Sequence, residues 1–432
     1  MLAPLAVPGV APRAAAEECR TEVTGEPLPE NAGPYPLIDQ LGLRQAWDLS
    51  TGYDVRVAVI DSGVDGDHPD LVMHVLPDAS TYTVVADERE FVRTTPMPTQ
   101  DCLGHGTAVA GLIVSERTEG DRMAGVAPDA YIYSVRSADG VERATPGMLA
   151  AMIDDAVYYG ARVINLSLAI PVDHEPIREA VANAVANDVV VVAAAGNEGN
   201  AGVSQGRMYP AAYDGVVAVG AVGNDGQPLD SSNAGPWVDL AGYGEDLVVA
   251  APGGSGYRVE SGTSFAAAQV SGVAALVRAR FPDMPATEVV RRMIDSATAV
   301  GGGRNDHTGA GIVDPFGALT DLGGGGNGDG ATVSDVPVQA MPAGQPLLSG
   351  TAAAALAWSG GLVLAVVLGL AASPAIRRAA RRGWRTGPDP CESPPAGPPQ
   401  PRPGVLDGTT DRPGPLPRPT SPFSPSRTGT PR

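Results

Sequence analysis

The stretch VRVAVIDSGVDGDHPDL, residues 55–71, decides the fold of this chain. Its first part is an unbroken run of β-branched and small apolar residues, interrupted only by Arg56. It shows no alternation of apolar and polar positions beyond that. A short run of this kind is a strand buried on both faces, and such strands belong to parallel sheets with helices above and below. The run stops at Asp61, and Ser62-Gly63 turns the chain. A carboxylate at the C-terminal end of a parallel strand stands where α/β sheets gather their functional side chains.

Outward from this segment the same pattern repeats. ARVINLSL (161–168), DVVVVAAAG (188–196) and GVVAVGAV (215–222) read as further buried strands. GMLAAMIDDAVYYG (147–160) and PIREAVANAVAND (176–188) carry helical periodicity between them. The fold class is therefore α/β, a parallel sheet covered by helices on both faces, over residues 53–322. The run VVVVAAAG is too short to cross a bilayer and belongs to the core.

The flanks differ from this domain. Residues 1–16 are largely apolar and end in Ala14-Ala15-Ala16, like the small-residue end of a secretory signal peptide. The positively charged start of such a peptide is missing, so the segment reads as a truncated signal; an apolar leader of another kind is the alternative. Residues 17–52 form an N-terminal arm with a helix-like piece, LIDQLGLRQAWDLS. Residues 323–350 are a Gly/Pro-rich linker. Residues 351–372 carry no charge, and as a helix would span ~33 Å, enough for a membrane crossing. Arg377, Arg378, Arg381, Arg382 and Arg385 follow at once. The positive-inside rule then places the Pro-rich tail, 373–432, in the cytoplasm, and the large domain outside the cell membrane. Its composition predicts disorder.

The chain has 432 residues and a formal net charge of −20, and it contains no lysine. No basic footprint is available for a nucleic-acid partner. Its three cysteines match no metal motif. Cys19 lies in the arm and Cys102 just before His105, so a disulfide between them would staple the arm beside that histidine. An extracytoplasmic setting permits such a bond; two free thiols are the alternative. Cys391 lies in the tail.

Three segments carry chemistry, in the order Asp, His, Ser. Asp61 ends the opening strand. In DCLGHGTAVAGLI, His105 sits between Gly104 and Gly106 at the start of an apolar helix. In SGTSFAAAQVSGVAALV, Ser264 begins a helix of small residues. Alone, Ser264 reads as an N-cap serine. Together the three supply a hydroxyl nucleophile, a base for its proton and a carboxylate to orient that base. The chain order is that of subtilisin, not of chymotrypsin or the α/β-hydrolases.

Over roughly Gly52 to Leu322 the sequence resembles the subtilisin-like serine proteases. VAVIDSGVD, GHGTAVAG and GTSFAAA resemble the three triad signatures, and YPAAYDGVVAVGAV and GAGIVDP resemble further family segments. The resemblance implies a serine endopeptidase acting on protein substrates without a cofactor. It assigns Asn197, in VVAAAGNEG, as the side-chain oxyanion donor beside the backbone N–H of Ser264. It assigns Ser167, Leu168 and Ala169 to one wall of the substrate cleft, adding substrate as a strand. Ala194, Ala195 and Gly196 form the other wall. Ala169 and Ile170 stand where subtilisins commonly carry glycines, which implies a reshaped cleft and selective cleavage. Ala268 replaces a usual proline.

Arm, protease domain, linker and one C-terminal span together look like the mycosins, the membrane-anchored subtilases of type VII secretion systems. That resemblance implies association with the secretion membrane complex and processing of secreted proteins. A general cell-surface subtilase and a non-enzymatic stabiliser of the complex are the rival readings. Asp65, Asp67, His68 and Asp70 could approach a calcium ion, but they read as a solvated loop, and no metal site is assigned. His74, His174 and His307 read as surface residues.

Overall fold

The computed structural model describes residues 23–29, 33–85, 90–94, 100–199 and 206–320. The chain divides into two units, Met1–Ala331 and Thr332–Arg432, and the described residues all belong to the first. The signal-like leader, Cys19, the linker, the 351–372 span and the tail lie outside them. Among the described residues no helix is long and apolar enough to cross a membrane.

The arm's helix-like piece is two short helices, α1 (Pro36–Gln40) and α2 (Leu43–Trp47), parted by Gly42 in the left-handed region (φ 60°). The sheet has eight strands: β1 (Arg56–Asp61), β2 (Ser80–Val85), β3 (Glu90–Thr94), β4 (Tyr131–Ser137), β5 (Val163–Leu166), β6 (Val190–Ala194), β7 (Val216–Val222) and β8 (Leu240–Tyr243). Their spatial order is β3-β2-β4-β1-β5-β6-β7-β8. Every pairing is parallel except the antiparallel edge pair β2–β3. The expectation of a purely parallel sheet is corrected there: β2 and β3 are close in sequence, and a hairpin needs no crossover. A separate antiparallel pair joins β9 (Leu247–Ala250) to β10 (Tyr257–Glu260). Glu26 of the arm pairs with Tyr257 by two backbone hydrogen bonds of 2.8 Å, so the arm lies along β10.

Strand burial explains the unbroken apolar runs. Val57 and Val59 enter one core, while Ala58 and Ile60 enter another on the opposite face. Val190 and Val192 separate from Val191 and Ala193 in the same way. The first core is covered by α3 (His105–Val114), α6 (Thr263–Arg280), α7 (Ala286–Asp295) and α8 (Pro315–Thr320). The second is covered by α4 (Pro146–Tyr158) and α5 (Glu175–Ala186). Both helices are entered through a proline in the first turn, where its missing N–H costs no helical bond. Helix α6 is buried on all sides from Thr263 to Arg278 and contacts β5, β6, β7 and β8. A helix apolar all round belongs in a core.

From β1 the strand order runs through β4 and β2 one way and through β5 to β8 the other. The sheet's topological switch point is therefore at β1, and a crevice opens outside the strand ends there. Asp61 stands at that end.

Candidate active site

Asp61 closes β1 and is buried. His105 is the first residue of α3, entered through Gly104 at φ 83°. The Nδ1 atom of His105 lies 2.8 Å from Asp61 Oδ1 and 3.0 Å from Oδ2. An ionised carboxylate only accepts, so Nδ1 carries a proton, and in the neutral imidazole Nε2 keeps its lone pair. Gly106 permits this approach. A Cβ there would lie 2.0 Å from the Gly63 carbonyl oxygen and 3.0 Å from Asp61 Cβ. Burial pulls the imidazole pKa down. The charge and hydrogen bond of Asp61, with the charges of Glu142 and Asp101, outweigh it and push the value up to about 9. About a third of the side chain, 34%, remains open to water, which tempers that pull. The ring also packs on Phe265, 5.4 Å between centroids.

Ser264 is the second residue of α6, behind the N-cap Gly262. Its hydroxyl is oriented toward the Ser167 carbonyl at 3.4 Å. Within the described residues it makes no hydrogen bond to His105, a looseness common before substrate binds. The first N–H groups of a helix lack intrahelical partners, and no described acceptor takes the Ser264 N–H. Ala268 lies inside an unbroken α6, so the missing proline leaves the helix start intact.

Asn197 is exposed after β6. Its Oδ1 accepts from Thr263 N at 2.9 Å and from Thr263 Oγ1 at 3.1 Å. Thr263 Oγ1 in turn accepts from Gly196 N at 3.1 Å. This pair of donors fixes which end of the amide faces α6 and leaves Nδ2 as a donor with no hydrogen-bond partner among the described residues. Two donors, Asn197 Nδ2 and Ser264 N, are thus available for an oxyanion.

The two segments expected to wall the cleft follow neighbouring, parallel-paired strands, β5 and β6. Ser167, Leu168 and Ala169 follow β5 with no strand paired to them among the described residues. Ala194 ends β6, Ala195 and Gly196 follow it, and a Cβ on Gly196 would lie 2.9 Å from Ala169 Cβ. The walls approach closely at Ala169. Ile170 then pairs with Tyr209 through two backbone bonds of 2.8 Å.

Several functional neighbours escaped the sequence reading. Asn233 is buried; its Nδ2 donates to Ala195 O at 3.0 Å and to Glu198 Oε2 at 2.6 Å, bracing the second wall. Beneath the first wall, Asn165 Nδ2 donates to Ser167 Oγ, and Ser271 Oγ of α6 donates to Asn165 Oδ1. Asn233 sits in no patterned motif, and Asn165 lies inside a run read only as a buried strand. The Asp65–Asp70 segment needs correction: His68 and Asp70 are buried, not solvated. Tyr257 OH donates to Asp70 at 2.6 Å, and His68 Nε2 lies 3.2 Å from Gly256 O. These contacts tie the segment to β10, and burial holds the Asp70 carboxyl above its ordinary range. No group of three or more candidate metal ligands occurs among the described residues. His307 is exposed, but His74 and His174 are half-buried, against the expectation of surface residues. Cys102 is disulfide-bonded and accepts from Arg136 Nη2 at 2.8 Å; its expected partner, Cys19, lies outside the described residues.

The subtilase family model matches residues 52–311, more than half of the chain. The chain is 37% identical over 251 residues to subtilisin E of Bacillus subtilis, across 58% of this chain and 62% of that protein. It thus spans less than two thirds of the length of that relative. It is 33% identical over 335 residues to Mycosin-1 of Mycolicibacterium smegmatis, across 65% of this chain and 72% of the relative. A solved structure described as "a serine protease MycP1, an essential component of the type VII (ESX-1) secretion system" is similar at a TM-score of 0.59 and 33% identity. The match covers 69% of this chain and 92% of that one.

Proposed function

The chain belongs to the subtilase family, and from that premise we propose that it is a serine endopeptidase with Asp61, His105 and Ser264 as its triad. The observation that carries the reading is the Asp61–His105 pair, 2.8 Å apart, at the same crevice as a helix-start serine. Ser264 Oγ attacks the scissile carbonyl carbon as His105 Nε2 takes its proton. Asp61 holds the Nδ1–H and stabilises the imidazolium. The carbonyl oxygen, now an oxyanion, is received by Asn197 Nδ2 and Ser264 N. The imidazolium gives its proton to the leaving amine, and an acyl-enzyme remains. Water, deprotonated by His105, then releases the acid and restores Ser264. Ser167–Ala169 bind the substrate backbone as an added strand, with Ala194–Gly196 opposite. A fluorophosphonate probe tests this: it labels the wild-type chain at Ser264 and leaves Ser264→Ala unlabelled. A folded wild-type protein that takes no label overturns the assignment.

The finer reading is a mycosin-type protease, anchored in the cell membrane by residues 351–372, with its catalytic domain outside and its tail in the cytoplasm. It associates with a type VII secretion membrane complex and processes selected secreted proteins. Two things support this: the likeness to Mycosin-1 and MycP1, and the charge-free span followed by arginines. Residues 1–16 act as the export signal, and a Cys19–Cys102 disulfide holds the arm. Co-purification of the full chain with a multi-protein membrane complex is the expected result. Recovery as a lone membrane protein favours a general cell-surface subtilase.

A further inference from the structure

Asp101, four residues before His105, is buried at 2% exposure and has no part in the mechanism above. Its carboxylate accepts five hydrogen bonds. Oδ1 takes Ser62 Oγ at 2.9 Å, Leu103 N at 3.0 Å and Gly104 N at 2.8 Å. Oδ2 takes Thr107 N at 2.9 Å and Thr107 Oγ1 at 2.7 Å. These donors come from two places. Leu103, Gly104 and Thr107 are the entry and first turn of α3, on either side of His105. Ser62 is the residue after Asp61.

The two sides are also cross-linked through these donors. Ser62 Oγ, while donating to Asp101, accepts from Gly106 N at 3.0 Å. Thr107 Oγ1 accepts from Asp65 N at 3.0 Å, and Gly63 pairs with Asp101 through the backbone. Ser62 N donates to Asp61 Oδ1 at 2.7 Å. One buried carboxylate therefore joins the turn that carries the triad acid to the helix start that carries the triad base.

We propose that Asp101 is a positioning residue: its carboxylate fastens the start of α3 to the turn after β1 and so sets His105 against Asp61. This rests on the triad reading above. An amide cannot do the same work. Asn at this position has one acceptor oxygen, and its NH2 would confront the Thr107 N–H or the Ser62 and Gly104 donors. Its charge matters as well. His105 is faced by Asp61 from β1, by Glu142 from the turn at Val141–Arg143 and by Asp101. The cation near the cluster is Arg136 on β4, itself desolvated and held below its ordinary range. Arg258 of β10 reaches toward Gly104.

The test compares full-length wild type, Asp101→Asn and Ser62→Ala, with active sites counted by fluorophosphonate titration. Asp101→Asn is expected to lose about tenfold or more in kcat per titrated site, as misplacement of a reacting group by a fraction of an ångström to 1 Å does. KM is expected to change little, and the acid limb of kcat/KM to move to lower pH. Ser62→Ala keeps the charge but breaks the bridge to Gly106, so kcat falls while the limb moves less. A merely structural loss reduces the number of titratable sites and leaves kcat per site and the pH limb unmoved; that outcome overturns the proposal. If Asp101→Asn fails to fold, Ser62→Ala decides: wild-type kcat per site overturns the proposal, and a reduced value supports it. Absence of titratable sites in the wild type itself refutes the triad reading instead.

Discussion

Gly106→Ala adds one carbon to the first turn of α3, and the structure fixes what that carbon meets. It would lie 2.0 Å from the Gly63 carbonyl oxygen, a backbone atom with no rotamer to escape into. Gly63 is held at φ 117° and paired with Asp101. The turn cannot easily retreat, so α3 must move by on the order of 1 Å to restore ordinary contact. His105 is the first residue of that helix and moves with it, away from Asp61. The present 2.8 Å hydrogen bond would then leave hydrogen-bond range. A misplacement of this size costs ~10²-fold in rate, and forcing a methyl group into a packed contact costs about 1–3 kcal/mol of stability. The assay is kcat on a chromogenic peptide, normalised by active-site titration, together with thermal unfolding. A Gly106→Ala enzyme within about threefold of wild type in kcat would refute the reasoning. It would mean that the spacing between β1 and α3 is soft.

Five further outcomes are expected. Asn197→Ala lowers kcat by ~10²–10³ with KM nearly unchanged, the size of loss known for the matching donor in a subtilisin; a larger effect on KM than on kcat would count against an oxyanion role. The raised His105 pKa gives a kcat/KM that climbs with pH through a limb above the ordinary histidine value, toward about 9. The neutral imidazole is the working base, and Asp61→Asn moves the limb down. By linkage, the Asp61–His105 pairing stabilises the fold fully below the unfolded histidine value of ~6.5. That contribution fades as pH rises through about 9, which urea melts at several pH values measure. Ala169→Gly opens the close approach of the cleft walls and raises kcat/KM for peptides with a bulky residue before the scissile bond, by about tenfold or more. Asp188→Ala removes a half-exposed carboxylate from the fully buried Arg278 side chain, which keeps the Met284 carbonyl and the backbone carbonyl of residue 188 as acceptors, and lowers stability by about 1 kcal/mol, with kcat per titrated site unchanged.

The parallel core was legible because its strands are buried on both faces. That condition forces unbroken apolar runs such as VVVVAAA, and no other soluble architecture calls for so many. Asp61, His105 and Ser264 were legible because each sits at an element boundary marked by glycine. The structure adds a physical reason for two of those glycines, namely the contact at Gly106 and the left-handed turn at Gly104. Asp101 was not legible. A carboxylate before a glycine-flanked histidine looks like any polar loop residue until the fold brings Ser62 to it. Asn233 is hidden for the same reason, since Ala195 and Glu198 are distant in sequence, and so is the link from Asn165 to Ser271. His68 and Asp70 misled because Gly, Pro and charge in one short segment imply solvent. Only the return of Tyr257, far along the chain, buries them. The β9–β10 pair is short and partly exposed, so it leaves no periodic trace.

Helix α6 bears the proposed nucleophile, Ser264, at its very start and is buried along nearly its whole length. Beyond the first turn, its amides should rank among the slowest in the molecule to exchange with solvent, opening only when the domain as a whole unfolds. Ser264 then cannot be disarmed by fraying of a local loop. On heating, loss of fluorophosphonate labelling and loss of tertiary structure should fall at the same temperature. Placing the reactive hydroxyl on a helix enclosed along nearly its whole length ties catalytic competence to the survival of the entire domain, so a partly opened form is an inactive one.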